Sequence, residues 1–312
     1  TLAISNATLS SEGDYHVVIS DGRSALQSQT ASVKITSNNP GRIVNLSVRA
    51  QLEASGNPLI TGFVVKGAGS RPVLVRAVGD TLASFGVQTA VRDTALKVYR
   101  GQSVFSENDD WTRDSEAAQT RSASANVGAF ALAETAKDAA LVRRLLAEPY
   151  TIHVLNQTAQ EGVVLVEMYD ALGAHDPSSR IANVSARARV SGGDGVLIAG
   201  LVVAGNTTCR LLARVAGPTL ATLGVTGTLA DPTLELYAAG SSTPIATNDD
   251  WASVQSTVLS EGLFRRVGAF DLPAGSRDSV IVTRIQPGAY TLVAQGKGGA
   301  QGQALIEIYL ID

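Results

Sequence analysis

The stretch "RIVNLSVRA" (42–50) returns as "RIANVSARA" (180–188), and this recurrence decides how the chain is read. The same offset of 138 residues carries "LITGFVVKG" (59–67) onto "LIAGLVVAG" (197–205). It also carries "VLVRAVGDTLASFGV" (73–87) onto "LLARVAGPTLATLGV" (211–225), and "DTALKVY" (93–99) onto "DPTLELY" (231–237). From the two "NDDW" runs (108–111 and 248–251) onward the offset becomes 140, through "VGAF" (127–130 and 267–270), "KDAALV" and "RDSVIV", "YTIHV" and "YTLVA", and "GVVLVEMYD" and "GQALIEIYL". A two-residue insertion in the loop before NDDW accounts for the change. Self-similarity at this period means one structural unit written twice.

Each copy reads as β. In "ANVSARARV" apolar Ala182, Val184, Ala186 and Ala188 alternate with polar Asn183, Ser185, Arg187 and Arg189, the period of a half-buried strand. "SVIVTRIQPGAYTLVAQG" reads as two strands around Gln-Pro-Gly-Ala, with Pro then Gly suiting a type II turn. Many short strands with Gly-rich punctuation predict an all-β protein built of antiparallel sandwiches of jelly-roll type. The stretches after the tryptophans, "RDSEAAQTRSASANV" and "SVQSTVLSEGLFRRV", read instead as a short helix capping one end of each sandwich. The expected organisation is a first segment at 1–36, a linker at 37–41, repeat 1 at 42–170, a polar Pro-containing linker at 171–179, and repeat 2 at 180–312.

Composition narrows the functional classes. The 312 residues carry a net charge of −3 and no Lys/Arg block, which argues against nucleic acid as a partner. No apolar run approaches the ~18–20 residues of a membrane span. Cys209 is the single cysteine, so intrachain disulfides and Cys-based zinc sites are excluded; in "NTTCRLLARV" it reads as a small buried hydrophobe. The chain opens without Met and in mid-element, so it is expected to belong to a longer precursor with its targeting segment elsewhere.

Residues 1–36 are of a different kind. "SSEGDYHVVIS" (10–20) resembles the turn and strand F of an I-set immunoglobulin-like domain, with a tyrosine corner at Tyr15. "SQTASVKIT" (28–36) resembles strand G, and Leu2 and Ile4 fall where strand E would lie. Strands A to D have no counterpart, and the strand-F cysteine of that family is replaced by Val17. Half a sandwich leaves an open sheet edge, so the missing strands are expected from upstream sequence or from another chain.

The two copies resemble bacterial pre-peptidase C-terminal-type β-sandwiches, through "DPTLELYAAGSSTPIATNDDW", "VGAFDLPAGSRDSVIV" and "PGAYTLVAQGKGGAQGQALIEIY". They also resemble tandem repeats at the ends of large secreted or surface proteins of environmental bacteria. The resemblance implies non-catalytic modules that tether, fold or bind, some of them with calcium.

Three sets of residues are candidates for chemistry. Asp93, Asn108, Asp109 and Asp110, with Asp231, Asn248, Asp249 and Asp250, supply the clustered hard oxygens that Ca2+ takes, and the resemblance carries a calcium site to these positions. The alternative needs no metal: Asn-Asp forms an Asx turn, the second Asp caps the following helix, and Trp111 or Trp251 plugs the sandwich end. His16, His153 and His175 lack a repeated counterpart, and no phosphate loop is present, so no catalytic residue is assigned and an enzyme is not expected. Arg76 and Arg214, inside apolar strands, require partners, and Asp93 and Asp231 are the matched carboxylates expected to supply them.

The expectation is a non-enzymatic structural or adhesive segment of a bacterial extracellular or cell-surface protein. Its partners would be copies of itself or other surface proteins, through strand complementation at residues 1–36. A filament formed through sheet edges is the sharper version. The rival is a calcium-dependent carbohydrate- or matrix-binding module of a larger secreted enzyme, with glycans as partners; few aromatics are left to stack on sugars.

Overall fold

A computed structural model of the chain describes residues 11, 13–33, 39–54, 57–171 and 179–311. The chain forms two compact units, Thr1–Asn39 and Pro40–Asp312.

In the first unit, β1 (Gly13–Tyr15) pairs antiparallel with β4 (Ala31–Val33), and β2 (Val18–Ser20) with β3 (Ala25–Gln27). The register moves by one residue between the two halves, where Val17 accepts from Ser28 N–H at 2.9 Å and donates its own N–H to Ser28 Oγ. The strand F expected after the turn in 10–20 is therefore split into two short strands, β1 and β2. Asp21 closes the turn by accepting from the Arg23 and Ser24 amides, which hold its carboxyl below the ordinary range. Tyr15 donates its hydroxyl to Ser11 C=O at 2.9 Å, the hydrogen bond of a tyrosine corner. The strand expected around Leu2 and Ile4 lies outside the described residues.

The second unit holds both repeats. Repeat 1 contributes β5 (Arg42–Leu52), β6 (Leu59–Gly67), β7 (Ser70–Val78), β8 (Thr94–Arg100), β9 (Ser103–Asn108), α1 (Ala117–Asn126), β10 (Ala139–Leu146), β11 (Pro149–Asn156) and β12 (Gly162–Asp170). Repeat 2 contributes β13 (Ser179–Val190), β14 (Leu197–Ala204), β15 (Cys209–Ala216), α2 (Pro218–Thr222), β16 (Pro232–Ala238), β17 (Ala246–Asn248), α3 (Gln255–Ser260), α4 (Leu263–Val267), β18 (Ser279–Ile285), β19 (Gly288–Gly296) and β20 (Gly302–Ile311). The helices follow the tryptophans as the sequence predicts. In repeat 2 the helix is broken at Gly262, which sits in the left-handed region at φ 58°.

The pairing is where the structure departs from two sandwiches in series. Within repeat 1, β5-β12-β7-β10 form one sheet and β6-β11-β8-β9 the other. Repeat 2 repeats this with β13-β20-β15-β18 and β14-β19-β16-β17. The first strand of each repeat then pairs with the second strand of the other, β5 with β14 and β13 with β6. Each sheet thereby runs on into a sheet of the sister repeat. The expected boundary between 42–170 and 180–312 is not a boundary between compact units; most of the linker at 171–179 lies outside the described residues.

The exchange has near-exact two-fold correspondence. Ile43 pairs with Ile181, its own counterpart, and both are buried. A one-residue register shift flanks this point on each side, at Ile181/Asn183 and at Val202/Val203. Gly62 faces Ser185, and its counterpart Gly200 faces Ser47. A Cβ on Gly62 would stand 2.7 Å from Ser185 Oγ, and one on Gly200 2.3 Å from Ser47 Oγ, so each glycine makes room for the serine hydroxyl facing it on the neighbouring strand. Alternating residues of β5, Leu46, Val48, Ala50 and Leu52, enter a core shared with Phe63, Val184, Leu201 and Leu292 from both repeats. Each leucine, valine or phenylalanine among them contributes about 1.5–3 kcal/mol on burial.

The strands around "QPGA" (286–289) do not form a hairpin. β18 pairs with β15 and β19 with β14 and β16, so this turn passes between sheets. Cys209 is buried as expected. It occupies the position of Arg71, which in repeat 1 lies 2.7 Å from Asp170 with both side chains fully buried; the counterpart of Asp170 is Leu310. One repeat thus has an ion pair where the other has apolar groups.

Two outcomes follow. Residues 42–170 alone keep β12 beside β5 and β11 beside β6 but leave the other edge of each strand unpaired, so the fragment is expected as a two-fold dimer with Ile43 against Ile43; light scattering giving a folded monomer would refute the exchange. Arg71→Ala deprives buried Asp170 of its guanidinium and is expected to lower stability by about 3–5 kcal/mol, while Arg71→Met with Asp170→Leu restores it to near the parent in urea unfolding.

Candidate functional site

The NDDW corners are built from the strand ends inward. Asn108 ends β9, and its Oδ1 accepts from Ala140 N–H at 2.8 Å while its Nδ2 donates to Asp110 C=O at 3.3 Å. Asn248 repeats both bonds, to Val280 N–H at 2.7 Å and Asp250 C=O at 3.1 Å, and adds Ser253 Oγ. Because β9 and β10 belong to different sheets, as do β17 and β18, the asparagine ties the two layers together. It does not form the expected Asx turn.

Asp110 and Asp250 precede single 3-10 turns at Trp111–Arg113 and Trp251–Ser253, and their side chains make no capping bond. The expected cap is therefore positional only. Asp110 lies 3.1 Å from Arg113 instead. The tryptophans are buried as plugs, with indole N–H groups donating to Ala133 C=O and Pro273 C=O at 3.2 and 3.1 Å.

A residue not singled out from sequence holds each corner. Asp138, fully buried, accepts through Oδ1 from Gly79 N–H at 2.7 Å and through Oδ2 from the Thr81 hydroxyl. Its own C=O accepts from Trp111 N–H at 3.0 Å. Asp278 does the same with Gly217, Thr219 and Trp251. One aspartate thus joins the short helical turn after β7 or β15 to the NDDW corner. The signal available was the matched Asp in "KDAALV" and "RDSVIV", a charge repeated at the edge of an apolar strand.

Four of the candidate calcium carboxylates, Asp93, Asp110, Asp231 and Asp249, pair with a protein cation. Asp93 binds Lys137, whose ammonium is raised by that hydrogen bond and by the charges of Asp93, Asp110 and Asp109. In repeat 2, Asp231 lies 2.9 Å from Arg277, and Asp249 binds Lys297, which is raised by Asp249 first and also by Asp231 and Asp250. A lysine stands among the three carboxylates of each copy. Among the described residues no group of three or more His, Cys, Asp or Glu is arranged to hold a metal ion.

Arg76 and Arg214 do not pair with Asp93 and Asp231. Their partners are Glu167 and Glu307, directly opposite on β12 and β20. Arg76 Nε is 3.1 Å from Glu167, its Nη1 donates to Phe130 C=O, and its guanidinium lies 4.4 Å over the Phe130 ring. Arg214 lies over both Phe264 and Phe270. Tyr169 and Tyr309 complete the groups by donating to Glu167 and Glu307 at 2.6 Å. The repeated Glu-x-Tyr in "VEMYD" and "IEIYL" was the sequence signal. Both arginines are fully buried.

His16 is exposed, His153 packs 4.4 Å from the Tyr99 ring with burial lowering its pKa, and His175 lies outside the described residues. Buried Asn156, in an N-x-T triplet, is bonded to Glu53, Thr158 and Gln160. Among the described residues no helix is long and apolar enough to cross a membrane.

No protein-family model and no curated protein matches the chain. A solved structure of a DUF4785 family protein from Legionella pneumophila aligns with all of this chain and 88% of its own, at 10% identity and a TM-score of 0.22. So loose a superposition carries no argument.

The buried Arg–Glu–Tyr groups give a pH signature. Burial, reinforced by the neighbouring glutamate, pushes the Tyr169 and Tyr309 hydroxyls well above the ordinary 10.0. The folded chain then keeps protons that the unfolded chain has released, so the tyrosines' contribution is complete below about pH 10 and declines as pH rises beyond it. Tyr169→Phe with Tyr309→Phe is expected to melt lower at neutral pH and to converge on the parent in alkali. Melting curves that stay parallel across the alkaline range would sink this account.

Proposed function

We propose that the chain is a non-enzymatic structural or adhesive segment of a bacterial extracellular or cell-surface protein, whose copies associate through sheet edges. The observation that carries the reading is the reciprocal exchange of β5 and β13, which makes one continuous body of Pro40–Asp312. Pulling on such a body loads hydrogen-bonded strands of both repeats together, so it resists as a unit.

Two further observations support it. The acidic corners and inward-facing arginines are engaged in bonds internal to the fold, which leaves them as frame rather than reaction centre. The first unit exposes Ile19 and Leu26 at 69% and 74%, with Val17 and Val18 beside them. An exposed apolar hairpin of this kind suits completion by a strand from a neighbouring copy.

Electron microscopy of the concentrated chain is expected to show filaments. Ile19→Lys with Leu26→Lys should abolish them while leaving the melting of Pro40–Asp312 unchanged. A chain that stays monomeric by sedimentation at high concentration, or filaments that survive the double substitution, would overturn assembly through this hairpin.

A further inference from the structure

A cleft of about 500 Å3 opens where the two repeats are joined. Repeat 1 supplies the end of β5 and the start of β6, with Gln51 and the flanking Glu53, Asn57 and Pro58. Repeat 2 supplies Arg187 and Arg189 from β13, Gln303 from β20, and Leu223 and Val225 from the turn after α2. Because β13 reaches this place by pairing with β6, the cleft exists only in the exchanged arrangement.

Its charge is what sets it apart. Val184, Ala186 and Ala188 of β13 enter the core, so Arg187 and Arg189 stand on the opposite face, and both are exposed. Two positions apart on one strand, their Cα atoms are separated by about 6.6 Å. Two guanidiniums so placed can grip one carboxylate together or two neighbouring ones. Arg76, Arg143 and Arg214 are each paired with carboxylates of the chain, whereas Arg187 and Arg189 make no ion pair or hydrogen bond among the described residues. The side-chain amides of Gln51 and Gln303 are likewise unengaged. Among the described residues the only carboxylate lining the cleft is Glu53, which accepts from Asn57 Nδ2 at 2.6 Å. The cleft therefore holds a surplus of positive charge beside two amides able to bond hydroxyl groups.

We propose that this cleft binds an acidic polysaccharide, a chain of uronate sugars, with Arg187 and Arg189 on its carboxylates and Gln51 and Gln303 on its hydroxyls. The volume falls in the range of about 300–1,000 Å3 usual for small-molecule sites, room for a short stretch of such a chain. Leu223, 58% exposed, and Val225 offer apolar contact to the C–H face of a sugar ring. A peptide is disfavoured because β13 is paired on both sides, with β6 and β20, leaving no backbone edge for an extended chain to join. A nucleic acid is disfavoured because, among the described residues, no aromatic ring lines the cleft to stack on a base. The same lack of rings removes stacking on a neutral sugar, and the arginines select a charged one instead. None of these residues belongs to the first unit, so the proposal is independent of assembly through its hairpin.

The test is a titration of the full chain with tetramers of galacturonate and of mannuronate, followed by calorimetry and by backbone amide resonances. Neutral maltotetraose and tetraglutamate serve as comparators. Saturable binding of a uronate tetramer is expected, with shifts at Ile60, Ala188 and Gln303 and an affinity that falls as salt is added. Maltotetraose should not bind, and tetraglutamate should bind at least tenfold more weakly. Arg187→Gln and Arg189→Gln should each weaken binding about tenfold, the loss of one charge-assisted pair. The double variant should abolish binding with melting unchanged, since both side chains are exposed. The proposal is overturned if neither uronate binds saturably, if maltotetraose or tetraglutamate binds as tightly, or if the double variant binds like the parent. Should the double variant fold poorly, the parent's shifts decide: shifts confined to surfaces away from the cleft overturn the site.

Discussion

The pairing of Ile43 with Ile181 is the contact on which the second unit depends. It lies where two copies of one sequence meet their own counterparts, and it sets the register by which β5 joins β14 and β13 joins β6. A four-stranded sheet leaves two edges, each a row of unpaired backbone groups. Exchange pairs the edges of β5, β6, β13 and β14 at once, leaving β9, β10, β17 and β18 as the outer strands. Those outer strands are also where the asparagines, the tryptophan turns and the helices gather. The corners are thus closures for edges that exchange cannot reach.

Buried polar groups follow from the same geometry. Once β12 lies beside β7 in this register, Arg76 and Glu167 face each other and must pair, because either alone would be an uncompensated buried charge. Asp138 answers a different demand: the amides of Gly79 and Thr81 begin a turn inside the protein, away from water, and need an acceptor. Where the demand differs between copies, so does the residue. Arg71 and Asp170 fill with charge a place that Cys209 and Leu310 fill with apolar atoms, so the frame accepts either solution.

What could be read from the sequence was whatever depends on local period. Alternation in "ANVSARARV" correctly marks Val184, Ala186 and Ala188 as buried, and the composition after each tryptophan correctly marks helices. Period tells which face of a strand is covered, not which neighbour it bonds to, and so the exchange was not legible. Its trace was present all the same, since Gly62 and Gly200 interrupt their strands at matched positions, and a mid-strand glycine leaves room for a group from a neighbouring strand. The arginine partners were misassigned for a related reason. Asp93 and Asp231 are near in sequence, whereas cross-strand register brings Glu167 and Glu307 from about ninety residues away.

Duplication makes the second repeat a control for the first. Features kept in both, such as Asn108 with Asn248, Asp138 with Asp278, and Glu167 with Glu307, each satisfy a bond the fold requires, and none of them needs a ligand. Lysines meet the acidic corners in both copies, though from different strands and loops, which points to charge balance as the shared requirement there. Beside the tryptophans the filling differs while the demand is shared: Phe264 packs on Trp251, Ser124 stands at the matching position beside Trp111, and each corner keeps a cavity, of about 210 and 230 Å3 respectively.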